Sequence, residues 1–213
     1  MLGTMKSNRG LTFFNIAIVS ILIFLNSARA QLMSSAKHGQ LDIYRSCSFH
    51  DGLEVVEVDP LNPGVTERSV ETVQGNKTIQ MVEGNRIGFA YPGTDIFANV
   101  KAEQLPVGSW SKQKKSLRQN FAYLLGSSPE FHTDTISNRA LLDLGSEGMT
   151  KSSISGGVLA FYLLFDDSRH VVVTIYLVNQ EPTSRKFQTL DDFHTLESRF
   201  LNTYAGCIVK GGR

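Results

Sequence analysis

The sequence predicts an α+β fold, in which helices cover an antiparallel sheet as an α/β/α-type sandwich. Three observations lead to this class: several strand-like runs follow one another, one amphipathic helix interrupts them, and a second helix closes the chain. We expect a single domain behind a signal peptide. The predicted division is a signal peptide in residues 1–30, an N-terminal extension and loop in 31–69, and the α+β domain in 70–213.

The first thirty residues have the pattern of a secretory signal peptide. Lys6 and Arg9 provide a positive start, segment 11–25 is apolar, and segment 28–30 has the small residues that a signal peptidase recognises. An uncleaved membrane anchor is the alternative, but this apolar segment falls short of the roughly 20 residues that span a bilayer. We therefore expect a mature chain that begins at Gln31, keeps no stable membrane anchor, and is periplasmic or secreted.

The next part of the chain predicts short strands and a loop. Segment 53–58 has the composition of a short strand, and the proline-containing segment 58–69 predicts a surface loop. The dipeptide Gly84-Asn85 separates two short runs, which predicts a hairpin around a tight turn. Polar and apolar residues alternate over 96–106, which predicts a further strand.

Segment 109–126 changes to helical periodicity. Leu117, Phe121 and Leu124 recur at helical spacing, lysines occupy the other side, and Gly126 is a natural helix stop. Less periodic sequence follows, and it predicts two short strands at 131–137 and 140–144.

Two runs, 157–165 and 170–180, are among the most apolar of the chain. Val, Ile, Leu, Phe and Tyr occupy both of their alternating faces. Strands of this kind lie in the middle of a sheet that is covered on both sides. We therefore expect these two runs to be central strands that pair with each other.

Segment 189–206 predicts a terminal helix. Thr189 is a good N-cap, two acids in the first turn suit the helix dipole, and Gly206 is expected to end the helix. Its predicted buried stripe consists of Phe193, Leu196, Phe200 and Tyr204.

A polar cluster separates the two apolar runs, and it contains the candidates for a polar site: His170, Asp166 and Arg169. A two-residue turn centred on Asp167 and Ser168 pairs Asp166 with Arg169, and it pairs the residue before Asp166 with His170. In that register the acid and the imidazole point to opposite faces. We therefore interpret the cluster as a hairpin turn with a local Asp166–Arg169 ion pair.

The chain has two cysteines, Cys47 and Cys207. An even number in an exported protein predicts a disulfide between them. The alternatives are weaker, because a redox pair is usually two residues apart and a metal site needs more thiols or a histidine pair. Cys47 and His50 have a ligand-like separation, but no second such pair accompanies them.

The charge balance gives no case for nucleic-acid binding. Cleavage of the signal peptide removes three of the 21 basic residues and none of the 20 acidic ones, so the mature chain carries a small negative net charge. Binding to phosphate backbones needs a concentrated basic surface. The densest basic cluster, Lys112, Lys114 and Lys115, is typical of a solvated helix face.

Strong catalytic motifs are missing from the sequence. It contains no Gly-x-Ser-x-Gly elbow, no phosphate-binding loop and no His-Glu-x-x-His helix. His132 and Asp134 are expected to share a strand face, and His194 with Asp191 is expected to form a local helix-surface pair. The sequence therefore predicts no catalytic residue, no cofactor and no metal ligand.

The stretch 87–106 carries short motifs of a known superfamily. The pair Tyr91-Pro92 leads into a predicted strand with Asn99-Val100, and a helix, an antiparallel sheet and a terminal helix follow. In these features 78–207 resembles the Mog1/PsbP-like superfamily, although Gly93 and Thr94 stand where a tryptophan commonly follows. The resemblance implies a non-enzymatic accessory or binding domain. It transfers no functional residue, because that fold supports several unrelated roles.

These observations favour an exported soluble accessory or binding protein of the bacterial envelope, without catalytic activity, whose partner is another envelope or secreted protein. One alternative is a small secreted hydrolase or metal-dependent enzyme with a site assembled from residues distant in sequence. Another is an inhibitor or immunity protein against an exported toxin. Titratable groups that converge in one cavity would favour the enzyme. The ligand and the oligomeric state are open at this point.

Overall fold

The computed structural model of the chain describes residues 41–47, 53–61, 66–70, 77–154, 156–179 and 189–211. All of them belong to one compact unit, Leu41–Arg213. The predicted signal peptide, 1–30, lies outside the described residues. No helix among the described residues is long and apolar enough to cross a membrane.

Strands make up most of the described fold. In chain order they are β1 (Glu54–Leu61), β2 (Thr66–Val70), β3 (Lys77–Met81), β4 (Glu83–Ala90), β5 (Ala98–Gln104), β6 (Phe131–Thr133), β7 (Glu147–Lys151), β8 (Gly157–Asp166) and β9 (Val171–Asn179). Seven of these form one antiparallel sheet in the order β1-β4-β5-β9-β8-β7-β6. The strands β2 and β3 pair with each other in a separate two-stranded sheet.

Helices cover both faces of the seven-stranded sheet. A 3-10 turn (Val107–Ser109) leads into α1 (Trp110–Ser127), and α2 (Arg139–Asp143) and α3 (Leu190–Gly211) follow. Residues 41–46 are also helical. Side chains of α3, α2 and the helical residues 41–46 share one buried cluster with the sheet, and α1 shares a second cluster. The predicted α+β class is confirmed.

The α3 side of the sheet is closed by aromatic side chains. The ring of Phe89 on β4 lies 5.4 Å from Phe200 and 5.7 Å from Tyr204, both edge-on. Phe200 and Tyr204 stack at 5.6 Å, because they are one helical turn apart. Thr189 caps this helix as predicted, since its Oγ1 accepts a hydrogen bond of 3.1 Å from the amide of Asp192.

The α1 side of the sheet is apolar over β8 and β9. The ring of Phe161 stacks on Phe121 of α1 at 5.6 Å and on Tyr176 of β9 at 5.0 Å. Leu117 and Phe121 are buried one turn apart, as the periodicity predicts. Because β8 and β9 lie inside the sheet with helices against both faces, the prediction of two central strands is confirmed.

The loop between β8 and β9 is longer than the predicted two-residue turn. Asp166 pairs with Val171, so four residues form the loop and the predicted register, with Asp166 opposite Arg169, is wrong. The two side chains nevertheless form the predicted local ion pair. The carboxylate of Asp166 accepts the amides of Ser168 and Arg169, each at 3.1 Å, and this stabilises the wider loop. The register moves by two residues, which keeps the side chains of 160–166 on their predicted faces, and an irregularity between Val158 and Ala160 changes the pairing beyond that point.

Two predictions of local secondary structure are wrong, one because of strand pairing and the other because of a helix cap. Gly84-Asn85 is no turn: it lies inside β4, where β1 and β5 both supply pairing partners. The predicted strand at 140–144 is wrong, because Asn138 caps a short helix there by accepting the amides of Ala140 and Leu141 at 2.7 and 3.4 Å.

Both predicted glycine stops lie inside their helices. Gly126 is followed by Ser127 in α1, and α3 continues past Gly206 to Gly211. In α3 the reason is packing, since Ile208 beyond the glycine is fully buried in the core. Burial of a further turn outweighs the roughly 1 kcal/mol that glycine costs within a helix.

The N-terminal part of the described chain belongs to the same core. Leu41 and Tyr44 are buried against α3, and β1 pairs with β4. The α+β domain therefore includes residues that the sequence-based division placed in the extension 31–69. Cys47 and Cys207 are joined, with Cα atoms 5.7 Å apart, and they tie the helical residues 41–46 to α3.

Candidate functional site

The predicted polar candidates serve the hairpin loop. Asp166 is only 4% exposed, and its carboxylate accepts hydrogen bonds from the Tyr44 hydroxyl at 2.8 Å, the Ser168 hydroxyl at 2.6 Å and the Arg169 guanidinium at 2.5 Å. Burial opposes ionisation of Asp166, but these hydrogen bonds outweigh it and hold the pKa of the carboxyl below its usual value. Both oxygens are occupied by protein donors, so Asp166 and Arg169 act as a structural pair.

His170 points away from this pair. Its backbone has φ of 54°, the left-handed region, and its ring lies edge-on to Trp110 at 5.6 Å on the α1 side. The indole nitrogen of Trp110 donates to Asp167 at 2.8 Å, and Lys114 adds an ion pair to the same carboxylate. The structure therefore does not bring His170 and Asp166 together.

Another set of polar side chains converges near the β6 edge of the sheet. A cleft of about 420 Å³ lies between α3 and the segment that follows β6. Residues 134–138 and Leu141 form one wall, and Tyr162 on β8 contributes to the lining. The α3 wall consists of His194, Glu197, Ser198, Leu201 and Asn202.

Glu197 is the centre of the polar network in this cleft. It is 4% exposed, although it lies in the middle of α3. Its Oε1 accepts a hydrogen bond of 3.0 Å from the Thr150 hydroxyl on β7 and lies 2.9 Å from the Tyr162 hydroxyl. Its Oε2 lies 2.9 Å from Nδ1 of His194, one turn earlier on the same helix. These contacts hold the carboxyl in a single place.

Tyr162 lies between two carboxyl groups. Besides its contact with Glu197, its hydroxyl contacts Oδ2 of Asp134. A phenol has one proton and can donate to only one of these oxygens. The second contact is favourable only when a carboxyl group provides the other proton, so this trio is suited to share a proton. Burial raises the pKa of Tyr162 above its usual value, and both carboxyl groups add to the increase.

The pKa of Glu197 is raised as well. Burial is the largest cause and the charge of Asp134 adds to it, while hydrogen bonds from His194, Tyr162 and Thr150 work against it. A raised pKa favours the protonated form of Glu197, which makes this carboxyl group the better suited to carry the proton of the Tyr162 trio. The geometry and the direction of the pKa shift thus agree on Glu197 as the proton carrier.

Local structure positions the second wall. The amide of Asp134 donates to the carbonyl of Gly148 at 2.9 Å, which extends the pairing of β6 and β7 by one residue. Asn138 caps α2 through its side-chain oxygen, and its amide nitrogen donates to Asn202 on α3. Both ends of 134–138 are therefore attached to regular structure, and the cleft has firm walls.

Gly148 leaves room for the Tyr162 ring. The two residues pair across β7 and β8, and a Cβ at position 148 would lie 2.2 Å from the ring. A side chain at this position would displace the tyrosine.

The cleft offers several kinds of chemistry. His194 uses Nδ1 for Glu197 and is 42% exposed, so Nε2 is the ring nitrogen available to a ligand. Such a carboxyl-oriented imidazole can accept or donate a proton. Within the described part of the chain, no group of three or more His, Cys, Asp or Glu side chains is placed to hold a metal ion.

Two sequence predictions bear on this cleft. His132 and Asp134 were expected to share a face; Asp134 lines the cleft, whereas His132 is exposed and is not part of the lining. His194 was expected to pair with Asp191, and the structure pairs it with Glu197 instead. Both residues lie three positions from the histidine, and only Glu197 is on the buried side of α3.

Comparison with known proteins identifies no relative: no family model matches the chain, and no similar curated protein or solved structure is found. The Mog1/PsbP-like resemblance therefore stays a prediction.

Proposed function

We propose that the protein is an exported accessory or binding protein of the bacterial envelope, which holds a small polar ligand in the cleft between α3 and residues 134–138. The observation that carries the binding part of this proposal is the cleft of about 420 Å³ itself, whose central carboxyl group, Glu197, is held by Thr150, Tyr162 and His194. That volume is within the range of small-molecule sites. The buried network holds these groups in place before a ligand arrives, which reduces the entropic cost of binding.

Export is proposed on separate grounds. The signal-peptide pattern of residues 1–30 and the pairing of Cys47 with Cys207 both suit an oxidising compartment. A periplasmic or secreted location follows from this proposal. Expression of the full-length chain in a bacterium is expected to yield an exported product that begins at Gln31; a full-length product in the cytoplasm would contradict it.

The binding proposal is tested by titrating the protein with a library of small polar fragments, observed by amide NMR. We expect a subset of fragments to shift the amides of 134–138 and of His194 to Asn202. Ser198 lines the cleft, and Ser198→Trp is expected to fill it and abolish these shifts.

Thr195→Trp is the matched control. Thr195 is exposed on the same helix and is not part of the cleft lining, so fragment binding should persist in this variant. Fragment shifts that are insensitive to Ser198→Trp, or no shifts at all, would count against a ligand site here.

A second candidate function is a small secreted hydrolase. Two observations favour it. Titratable groups converge in one cleft, as the sequence analysis expects of an enzyme, and Nδ1 of His194 lies 2.9 Å from Glu197, which orients the imidazole as acids orient catalytic bases. Turnover of an ester, glycoside or peptide substrate that disappears in His194→Ala, with the fold retained, would support it. Equal turnover in His194→Ala would eliminate it.

A further inference from the structure

We infer that the cleft recognises its ligand through a cationic group, such as a primary ammonium or a guanidinium. This inference rests on the proposed binding function and specifies the ligand class. It is carried by the charge of the cleft lining, by the hydrogen-bonding groups that the lining offers, and by the burial of Glu197 beside Tyr162 and Asp134.

The lining has acidic groups and no basic side chain of the lysine or arginine type. Asp134 and Glu197 are its two carboxyl groups. Arg139 directly follows the wall segment, but its guanidinium forms an ion pair of 2.9 Å with Asp143 and its side chain is 87% exposed. An anionic ligand would therefore meet repulsion in the cleft, and a cation would meet attraction that partial burial protects from screening by salt.

Each of the two side-chain amides in the cleft uses one of its two N–H groups within the protein. Asn138 donates its side-chain amide to Asn202, and Asn202 donates to the Ser198 hydroxyl at 3.3 Å. The single proton of Tyr162 is used between the two carboxyl groups. The donors left to a ligand are amide, hydroxyl and imidazole groups, and none is of the lysine or arginine type. An ammonium or guanidinium, in contrast, brings several charged donors to the carboxylate and hydroxyl oxygens of the lining.

Cation binding is coupled to proton release. The groups that face Glu197 are Thr150 on β7, Tyr162 on β8, Asp134 on the wall segment and His194 on α3. A cation placed near this set favours the ionised state of the carboxyl groups. A cation bound beside Glu197 therefore favours its ionised form, and affinity for a cation rises with pH through the range in which Glu197 titrates.

The experiment uses a series of probes of equal size and different charge: butylammonium, butanol and butyrate, with methylguanidinium as a second cation. Each probe is titrated into the complete exported protein, and binding is followed by the NMR shifts of the cleft amides, those of 134–138 and of His194 to Asn202. We expect both cations to bind in the cleft, and butanol and butyrate to bind at least about tenfold more weakly, the effect of one charge-assisted hydrogen bond.

Two variants test the role of the acids. Asp134→Asn is expected to weaken cation binding about tenfold, whereas Glu130→Gln, at an exposed acid outside the lining, should leave the affinity unchanged. Glu197→Gln keeps the shape of the side chain and is expected to remove the pH dependence of cation binding. This second variant keeps the test decisive if Asp134→Asn does not fold.

The outcomes separate the two proposals. Tighter binding of butanol or butyrate in the cleft would overturn the cationic ligand class and leave the binding function intact. Cation binding that Asp134→Asn and Glu197→Gln do not alter would also overturn it. If none of these probes and no library fragment shifts the cleft amides, both proposals fail.

Discussion

The hydroxyl of Tyr44 donates a hydrogen bond of 2.8 Å to Oδ2 of Asp166, which lies 122 residues later in the chain. Tyr204 on α3 in turn donates to the carbonyl of Tyr44 at 2.8 Å. Tyr44 thus joins the N-terminal helical residues to the loop after β8 and to α3. The acid that the sequence marked as a candidate for chemistry is an anchor for the N-terminal part of the fold.

Replacing Tyr44 with phenylalanine should destabilise the protein. The change removes the donor to Oδ2 of Asp166 and leaves a buried, ionised oxygen with one partner fewer. We expect a decrease of about 1–3 kcal/mol in the free energy of unfolding, the cost of an unmade hydrogen bond to a charged group. Urea unfolding of the variant and the parent chain measures the difference.

Tyr123→Phe is the control for this change, because Tyr123 is 39% exposed on α1. Loss of the Tyr123 hydroxyl should alter the free energy of unfolding by less than about 0.5 kcal/mol. Equal effects of the two substitutions would show that the Tyr44–Asp166 contact does not stabilise the fold.

The strand pattern was predictable because it depends on a local property. Runs that are apolar on both faces identified β8 and β9 as central strands, and the alternation of side chains survived a two-residue shift in register. The hairpin turn predicted at Gly84-Asn85 was wrong for the opposite reason. Its turn preference is local, but pairing with β1 on one side and β5 on the other keeps the dipeptide extended.

The cleft was harder to predict because its members come from separate parts of the chain. Asp134, which follows β6, meets Tyr162 and Glu197 only when the β6 edge of the sheet, β8 and α3 pack together. One signal was available in the sequence: Glu197 lies four residues after Phe193 and three before Phe200, within the predicted buried stripe. A glutamate at such a position needs buried partners, and searching for them would have pointed towards this site.

The disulfide is expected to contribute strongly to stability. Cys47 and Cys207 close a loop of 160 residues, and in the chain-entropy account a cross-link of this length stabilises by up to about 5 kcal/mol. The double variant Cys47→Ser/Cys207→Ser should therefore unfold at a much lower urea concentration. Treatment of the parent chain with dithiothreitol should produce a similar loss.

The double variant itself serves as the control for the reductant, since dithiothreitol should not affect its unfolding midpoint. Mass analysis of the exported parent protein should show the loss of two hydrogens across the two cysteine peptides. Free thiols in the exported protein, or an unchanged midpoint in the double variant, would contradict a stabilising cross-link.

Glu197 should make stability fall as pH rises. Burial raises its pKa in the folded protein above the ordinary value of 4.5, so the folded state binds a proton that the unfolded state releases. The free energy of unfolding contributed by Glu197 is therefore largest at low pH, decreases through the raised pKa, and is then constant. Glu197→Gln should lack this decrease and be more stable than the parent chain above that range.

Urea unfolding of both proteins at a series of pH values between about 4 and 8 measures this difference. Glu130→Gln is the matched control, because Glu130 is exposed and lies outside the cleft lining, and it should follow the parent pH profile. Parallel profiles for Glu197→Gln and the parent would show that Glu197 titrates normally and is not the proton carrier of the Tyr162 trio.

Gly148→Ala should damage the cleft and the fold together. An added Cβ would lie 2.2 Å from the ring of Tyr162, a distance at which the ring or the strand has to move. Tyr162 would lose its contacts with Asp134 and Glu197. We expect the free energy of unfolding to fall by about 1–3 kcal/mol, typical of overpacking in a core.

Gly126→Ala is the opposite control: its Cβ meets open space within α1, so the substitution should raise the free energy of unfolding by about 0.5–1 kcal/mol. Urea unfolding gives both values, and fragment binding followed by the cleft amides should be weakened only in Gly148→Ala. A Gly148→Ala protein with unchanged stability and unchanged fragment binding would show that the close packing of Gly148 against Tyr162 does not position the site.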